Sequence, residues 1–258
     1  MTDMHASTHR IVALGASNLT RGFRTVVATA RAIAGPEVEV LAALGHGRSY
    51  GMHSRILMRT LPGILQSGLW QRLETLPYAP TRGLVTDVGN DVLYGMPAEQ
   101  ILAWVDEAIG RLQRVTDDIV LTDLPLARAR RLSRIEFFAF RSILVPQSRL
   151  SLTEVLDTAA RVNDGLEALA AKRGVEFFRL KPEWYGLDPI HIRPSLWRAA
   201  WREILCGDRT APTAAAGSQR EAVQLYFLKP ERQWLFGREQ YTAQHGISLT
   251  PGGRVWLY

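Results

Sequence analysis

Residues 47–51 read Gly47-Arg48-Ser49-Tyr50-Gly51, a Gly-x-Ser-x-Gly pattern that can be taken in two ways. In one, Ser49 stands on a sharp strand-to-helix turn and is the reactive residue. In the other, the glycine ahead of it matters more, because a residue without a side chain lets a backbone N–H come close to a reacting group. The two readings belong to different α/β architectures, and the rest of the chain has to decide between them.

Composition narrows the classes first. Of 258 residues, 47% are apolar and 22% charged, which excludes fibrous and disordered chains. No apolar run approaches the roughly 20 residues of a membrane helix. The opening "MTDMHASTHR" has no apolar segment of the export type, so a cytoplasmic location is expected. Cys206 is the only cysteine, which rules out an intrachain disulfide, suits a reducing compartment and reads as a small buried apolar residue. The net charge of +6 raises the question of an anionic partner. Its densest cluster, Arg128, Arg130, Arg131 and Arg134, has neither interleaved aromatics nor a nucleic-acid motif around it. It reads as a solvated face; no nucleic-acid partner is expected, while attraction of anionic substrates stays open.

Short apolar runs alternate with segments of helical period, the pattern of a parallel sheet covered by helices. Five strands are predicted, at 10–15, 38–44, 83–88, 118–124 and 175–180, giving a doubly wound three-layer α/β/α domain over residues 1–206. Helices are expected at 20–34, 53–61, 64–75, from Pro97 onward, at 151–173 and at 196–205. Ser151 with Glu154 forms a capping box, and Gly174 supplies the stop. Residues 207–219, "GDRTAPTAAAGSQ", read as a linker. Beyond it "AVQLYFL" (222–228), "RQWLFG" (232–237) and "RVWLY" (254–258) read as strands of a small antiparallel β appendage. A lone hairpin is marginal in water, so residues 207–258 are expected to pack on the domain or on a partner subunit, with a homo-oligomer possible.

Chemistry-bearing residues fall in four places. Asp188 and His191 lie three apart with Pro189 between them, so both can occupy one tight turn, where the carboxylate accepts the imidazole Nδ1 proton. Ser17 follows the first strand in "LGASNLTRG", where Ser17, Asn18 or Thr20 could equally cap the next helix. Asn90, in "VTDVGNDVLYG", could aim an amide N–H into the same crevice or simply form an Asn-Asp turn. Gly47, after the second strand, could aim a backbone N–H there.

Taken in order, "GASN" around Ser17, "GHGRS" around Gly47, "VGND" around Asn90 and "DPIH" at Asp188 and His191 resemble the four motif blocks of the SGNH hydrolase superfamily, the GDSL-type esterases and lipases, over about residues 10–205. The resemblance implies a flavodoxin-like fold and hydrolysis of a carboxylic ester. Ser17 would be nucleophile, His191 general base and acid, and Asp188 the orienting carboxylate. The N–H groups of Ser17 and Gly47 with the Asn90 amide would form an oxyanion hole. Ala16 departs from the pattern, since the family usually carries aspartate there.

On this reading Ser49 is a helix cap or a supporting hydrogen-bond partner. As the elbow serine of an α/β-hydrolase it would follow only two strands, fewer than that fold places ahead of its nucleophile. That reading also needs an acid in a segment separate from the histidine, which the close Asp188 and His191 pair does not offer. Three further readings remain: an acyltransferase with the same residues, a non-catalytic binding protein, and the elbow enzyme acting through Ser49. His46 and His53 could line the pocket, as could Trp184, Tyr185, Tyr94 and the 136–140 stretch "EFFAF". Core or surface placement suits each as well. His5 and His9 are four apart in a polar stretch, and no residue set has metal-ligand spacing or a phosphate-loop pattern. No cofactor is expected.

Overall fold

In a computed structural model of the chain, residues 9–131, 150–207, 219–250 and 252–258 are described. Strand β1 (Arg10–Leu14) is buried at every position. Ile11 and Ala13 pack into one apolar layer and Val12 and Leu14 into the other. Because both faces are covered, the run is continuously apolar instead of alternating. β1 pairs in parallel with β2 (Glu39–Ala43) on one side and β5 (Thr81–Val85) on the other. Beyond β5 lie β6 (Ile119–Thr122) and β7 (Glu176–Phe178), also parallel. These are the five expected strands, arranged as the predicted doubly wound sheet.

Two more strands bring the sheet to seven. β11 (Arg254–Leu257) pairs in parallel with β2, and β10 (Ile247–Ser248) pairs with β11 antiparallel at the edge. Trp256 and Tyr258 are buried, so the last strand contributes to the core. The rest of the C-terminal segment forms a separate antiparallel sheet. There β8 (Arg232–Leu235) and β9 (Arg238–Tyr241) join a hairpin of β3 (Ser54–Ile56) and β4 (Arg59–Leu61) in the order β3-β4-β8-β9.

That hairpin replaces the helix expected at 53–61. Its turn is made by Leu57, at φ 54°, and Met58, so none of the glycine, asparagine or proline that usually signals a turn is present. A second correction concerns 222–228. The aromatic and β-branched stretch belongs to a helix, α8 (Gln219–Tyr226), whose buried residues Glu221 and Leu225 are one turn apart. Glu221 forms a buried salt bridge of 2.8 Å with Arg31, and this tertiary contact outweighs local strand preference.

The remaining helices form the two outer layers. α4 (Ala98–Leu112), entered after Pro97, the short α5 (Leu126–Ala129) and α6 (Leu152–Arg173) cover the Val12 and Leu14 face. At α6, the Glu154 N–H donates to Ser151 Oγ at 3.2 Å and the Ser151 N–H to the Glu154 carboxylate at 2.7 Å. The helix ends on Gly174 at φ 66°. α2 (Leu69–Thr75) is shorter than expected, preceded by a single 3-10 turn at Ile64–Gln66. On the opposite face α1 (Ser17–Ala34) packs against α7 (Trp197–Cys206). Their crossing places the Trp201 indole where a side chain on Gly22 would be.

Alanine in place of glycine inside a helix normally stabilises by about 1 kcal/mol. At Gly22 the added methyl meets the fully buried Trp201 ring, and overpacking of a core costs ~1–3 kcal/mol. Gly22→Ala is therefore expected to lower the urea midpoint. A variant as stable as the parent would mean that α1 and α7 do not meet this closely.

Candidate active site

β1 is flanked by β2 on one side and β5 on the other, so chain connections diverge between β1 and β5 and leave a crevice at the carboxyl ends of the strands. Ser17 follows β1, Gly47 follows β2, Asp87 and Asn90 follow β5, and Asp123 follows β6. The loop that leaves β7 carries Asp188 and His191.

Ser17 opens α1, whose preceding residue, Ala16, has no side chain able to cap. The carboxylate comes instead from the loop after β5. Asp87 Oδ2 accepts from the N–H groups of Ala16 and Leu19, both at 3.0 Å. Its Oδ1 accepts from Asn18 Nδ2 at 2.9 Å. Asp87 adopts φ 59°, a left-handed conformation that costs about 1–2 kcal/mol for a residue with a side chain. Asn18 caps nothing. Its amide spans from Asp87 to the histidine loop, donating to the Ile190 carbonyl at 2.9 Å and accepting from the Ile192 N–H at 2.8 Å. Asn18 and Asp87 therefore fix the start of α1 against the loop that carries His191.

Within that frame Ser17 Oγ lies 3.0 Å from His191 Nε2. On the other side of the ring, Nδ1 lies 2.6 Å from Asp188 Oδ2. Asp188 Oδ1 accepts from the N–H groups of Ile190 and His191, each at 3.2 Å, so Pro189 sits in a turn closed by the aspartate itself. Partial burial of Asp188 works against its ionisation. The hydrogen bond and charge of His191, the Ile190 N–H and Arg21 outweigh it and hold the carboxyl below its ordinary value.

Gly47 adopts φ 63°, where a side chain would be strained and would run into Ile56 and the Tyr94 hydroxyl. Tyr94 donates to the Gly47 carbonyl at 2.6 Å, which fixes that peptide. Asn90 begins the short helix α3 (Asn90–Leu93), and its side chain has no hydrogen-bond partner among the described residues. Together with Ser17 it lines a narrow, mainly apolar cavity of about 110 Å³, walled by Leu126, Val155 and Leu156. Asp123 reaches the same cavity. It accepts from the Leu180 N–H at 2.7 Å, and burial pushes its carboxyl up to about 6. The Ser17 N–H, in the first turn of α1, has no acceptor within the helix.

Residues 48–50 form the packed base of this arrangement. Arg48, Ser49 and Tyr50 are all fully buried. Ser49 Oγ accepts from the N–H groups of Gly51 at 3.2 Å and Met52 at 3.1 Å, so the elbow reading, which needs an exposed hydroxyl, does not hold. The Tyr50 hydroxyl lies 2.7 Å from the Thr86 carbonyl and 3.2 Å from that of Leu14, joining the ends of β5 and β1. Its N–H donates to Asp91 Oδ2 at 2.9 Å. Arg48 donates to the carbonyls of Pro62 at 3.0 Å, Leu44 at 3.2 Å and Tyr258. Burial lowers its pKa to about 9.

Of the other candidates, Tyr185 reaches the cavity. Trp184 is buried and stacks on Phe178, His53 meets Trp234 edge-on, and His46 reaches solvent. Arg128 donates to the Gly186 carbonyl, and Arg130 and Arg131 are exposed. Arg134, residues 136–140 and His5 lie outside the described residues. Among the described residues no group of three or more His, Cys, Asp and Glu could hold a metal ion, and no helix is long and apolar enough to cross a membrane.

Burial lifts the Asp91 carboxyl from 3.8 to about 6, against the opposing hydrogen bonds of Ser49 and the Tyr50 N–H. The folded state then holds the proton more tightly than the unfolded state. The stability this provides is complete below about pH 4 and is lost as pH rises through about 6, by up to ~3 kcal/mol. Relative to Asp91→Asn, the parent should lose urea stability between about pH 4 and 6 and show no further change above about pH 7. A constant difference between the two proteins across that window would contradict the assignment.

No family model matches the sequence, and comparison with curated proteins gives no match. Solved structures match at low identity. One crystal structure, 15% identical, covers 77% of this chain and 96% of its own at a TM-score of 0.50. A member of the lipolytic protein G-D-S-L family from Veillonella parvula DSM 2008 is 14% identical over 79% of this chain and 100% of its own, with a TM-score of 0.49. The psychrotrophic esterase EstA from Pseudoalteromonas sp. is 13% identical over 75% and 92%, with a TM-score of 0.44. Identities this low concern the fold alone. What the match at a TM-score of 0.50 shares with this chain is the fold, a mostly parallel sheet covered by helices on both faces.

Proposed function

We propose that the protein is a serine hydrolase that cleaves carboxylic esters through an acyl-enzyme. The reading is carried by the continuous contact from Ser17 Oγ to His191 Nε2 at 3.0 Å and from His191 Nδ1 to Asp188 Oδ2 at 2.6 Å. His191 takes the Ser17 proton as Oγ bonds to the acyl carbon, and the carbonyl electron pair moves onto oxygen. The N–H groups of Ser17 and Gly47 and the Asn90 amide receive that oxyanion. When the intermediate collapses, the C–O bond to the alcohol breaks and His191 hands its proton to the departing oxygen. Water, deprotonated by His191, then attacks the acyl-enzyme, releasing the acid and restoring Ser17. The cavity beside Ser17 and Asn90 suits an apolar acyl group.

Hydrolysis of p-nitrophenyl acetate and butyrate tests this. The parent should turn both over, and Ser17→Ala should abolish turnover. Loss of one oxyanion donor typically costs ~10²–10³ in kcat, which is the expected effect of Asn90→Ala. An Asn90→Ala enzyme within about threefold of the parent would remove Asn90 from the mechanism. A parent inert towards both esters would overturn the reading.

A further inference from the structure

The apolar cavity lies beside Ser17, and basic residues gather around His46 on the loop after β2. None of Arg21, His46 and Arg59 lines the cavity. Arg59 stands on β4, and its Nη2 lies against Gly45, 3.2 Å from where a Cβ on that glycine would sit. The guanidinium is thereby packed on the loop that carries Gly47. Among the described residues the Arg59 side chain has no carboxylate partner and no hydrogen bond, although it is half-buried. His46, between Gly45 and Gly47, has Arg21, Arg59, His191 and Asp87 as its ionisable neighbours. Crowding by the surrounding protein lowers its pKa first, and the two arginines lower it further. Arg21 approaches Asp188 Oδ2 at 3.6 Å, one turn of α1 after Ser17.

A half-buried guanidinium without an anion is costly, and proteins usually pair it. The two carboxylates near these residues are already engaged: Asp87 holds the start of α1, and Asp188 holds His191. Resting on the ester-hydrolase reading above, we propose that Arg59, with Arg21 also next to His46, binds an anionic group on the alcohol half of the substrate, a carboxylate or a phosphate. Such an ester would place its acyl group in the apolar cavity and its charge on the basic residues. Arginine suits this task because its fork of N–H donors matches two oxygens of a carboxylate or phosphate.

The test compares 3-acetoxybenzoate with its neutral methyl ester, each rate normalised to alkaline hydrolysis. The parent should favour the anion by about tenfold in kcat/KM, mainly through KM, and the preference should shrink as salt rises from about 0.02 to 0.5 M. Arg59→Met should reduce the ratio about tenfold, and Arg59→Lys should keep most of it. Calorimetric titration with 3-hydroxybenzoate, which needs no turnover, should show binding to the parent that weakens about tenfold in Arg59→Met. Equal use of both esters, unchanged by salt and by Arg59→Met, would overturn this inference and leave the hydrolase reading standing. Binding of 3-hydroxybenzoate that depends on Arg59, with neither ester cleaved, would keep the anion site and defeat the hydrolase reading. Absence of binding would defeat the anion site whatever the turnover.

Discussion

Much of the site depends on one carboxylate, that of Asp87. It accepts from two backbone N–H groups at the start of α1 and from the Asn18 amide, and Asn18 in turn holds both neighbours of His191. A negative charge at a helix N-terminus is favourable by roughly 0.3–1 kcal/mol, and more where it is partly buried. That gain, with three hydrogen bonds, offsets the left-handed backbone of Asp87. The arrangement also answers the departure at Ala16. Where the resemblance leads one to expect an aspartate beside the serine, a carboxylate reaches the same turn from the loop after β5.

A second constraint comes from below. Arg48 and Tyr50 tie together the ends of β1 and β5, the turn at Pro62 and Tyr258, which follows the last strand. Gly47 therefore sits on a fully packed base, with its carbonyl held from above by Tyr94. Since β11 borders β2 and Arg48 reaches Tyr258, the C-terminal strand supports the loop that carries Gly47. The Gly-x-Ser-x-Gly stretch is thus a structural junction, and its serine serves the turn.

How much of this was legible follows from what each feature depends on. Period and burial in β1, β2, β5 and β6 are local properties, so those strands could be read directly, as could the capped helix at Ser151. The serine, glycine, asparagine and aspartate-histidine blocks were legible because their order along the chain matches the order of carboxyl-end loops. Asp87 and Asn18 were not, since their role exists only where β1, β5 and the histidine loop meet, and in sequence each reads as an ordinary turn or cap residue. Two elements were misread for the same kind of reason. A turn made by Leu57 and Met58 carries no local signal, and the helix at Gln219–Tyr226 is held by an ion pair to Arg31, some 190 residues away. The Arg59 cluster depends on a hairpin that the sequence gives no reason to draw.

The central claim is that the serine on the β1 loop, not the one in the Gly-x-Ser-x-Gly stretch, is the reactive group. Labelling of the full chain with a fluorophosphonate, followed by mass-spectrometric mapping of the modified peptide, tests it most directly. The account predicts modification at Ser17 that disappears in Ser17→Ala and persists in Ser49→Ala. Modification at Ser49, or at neither serine, would contradict it.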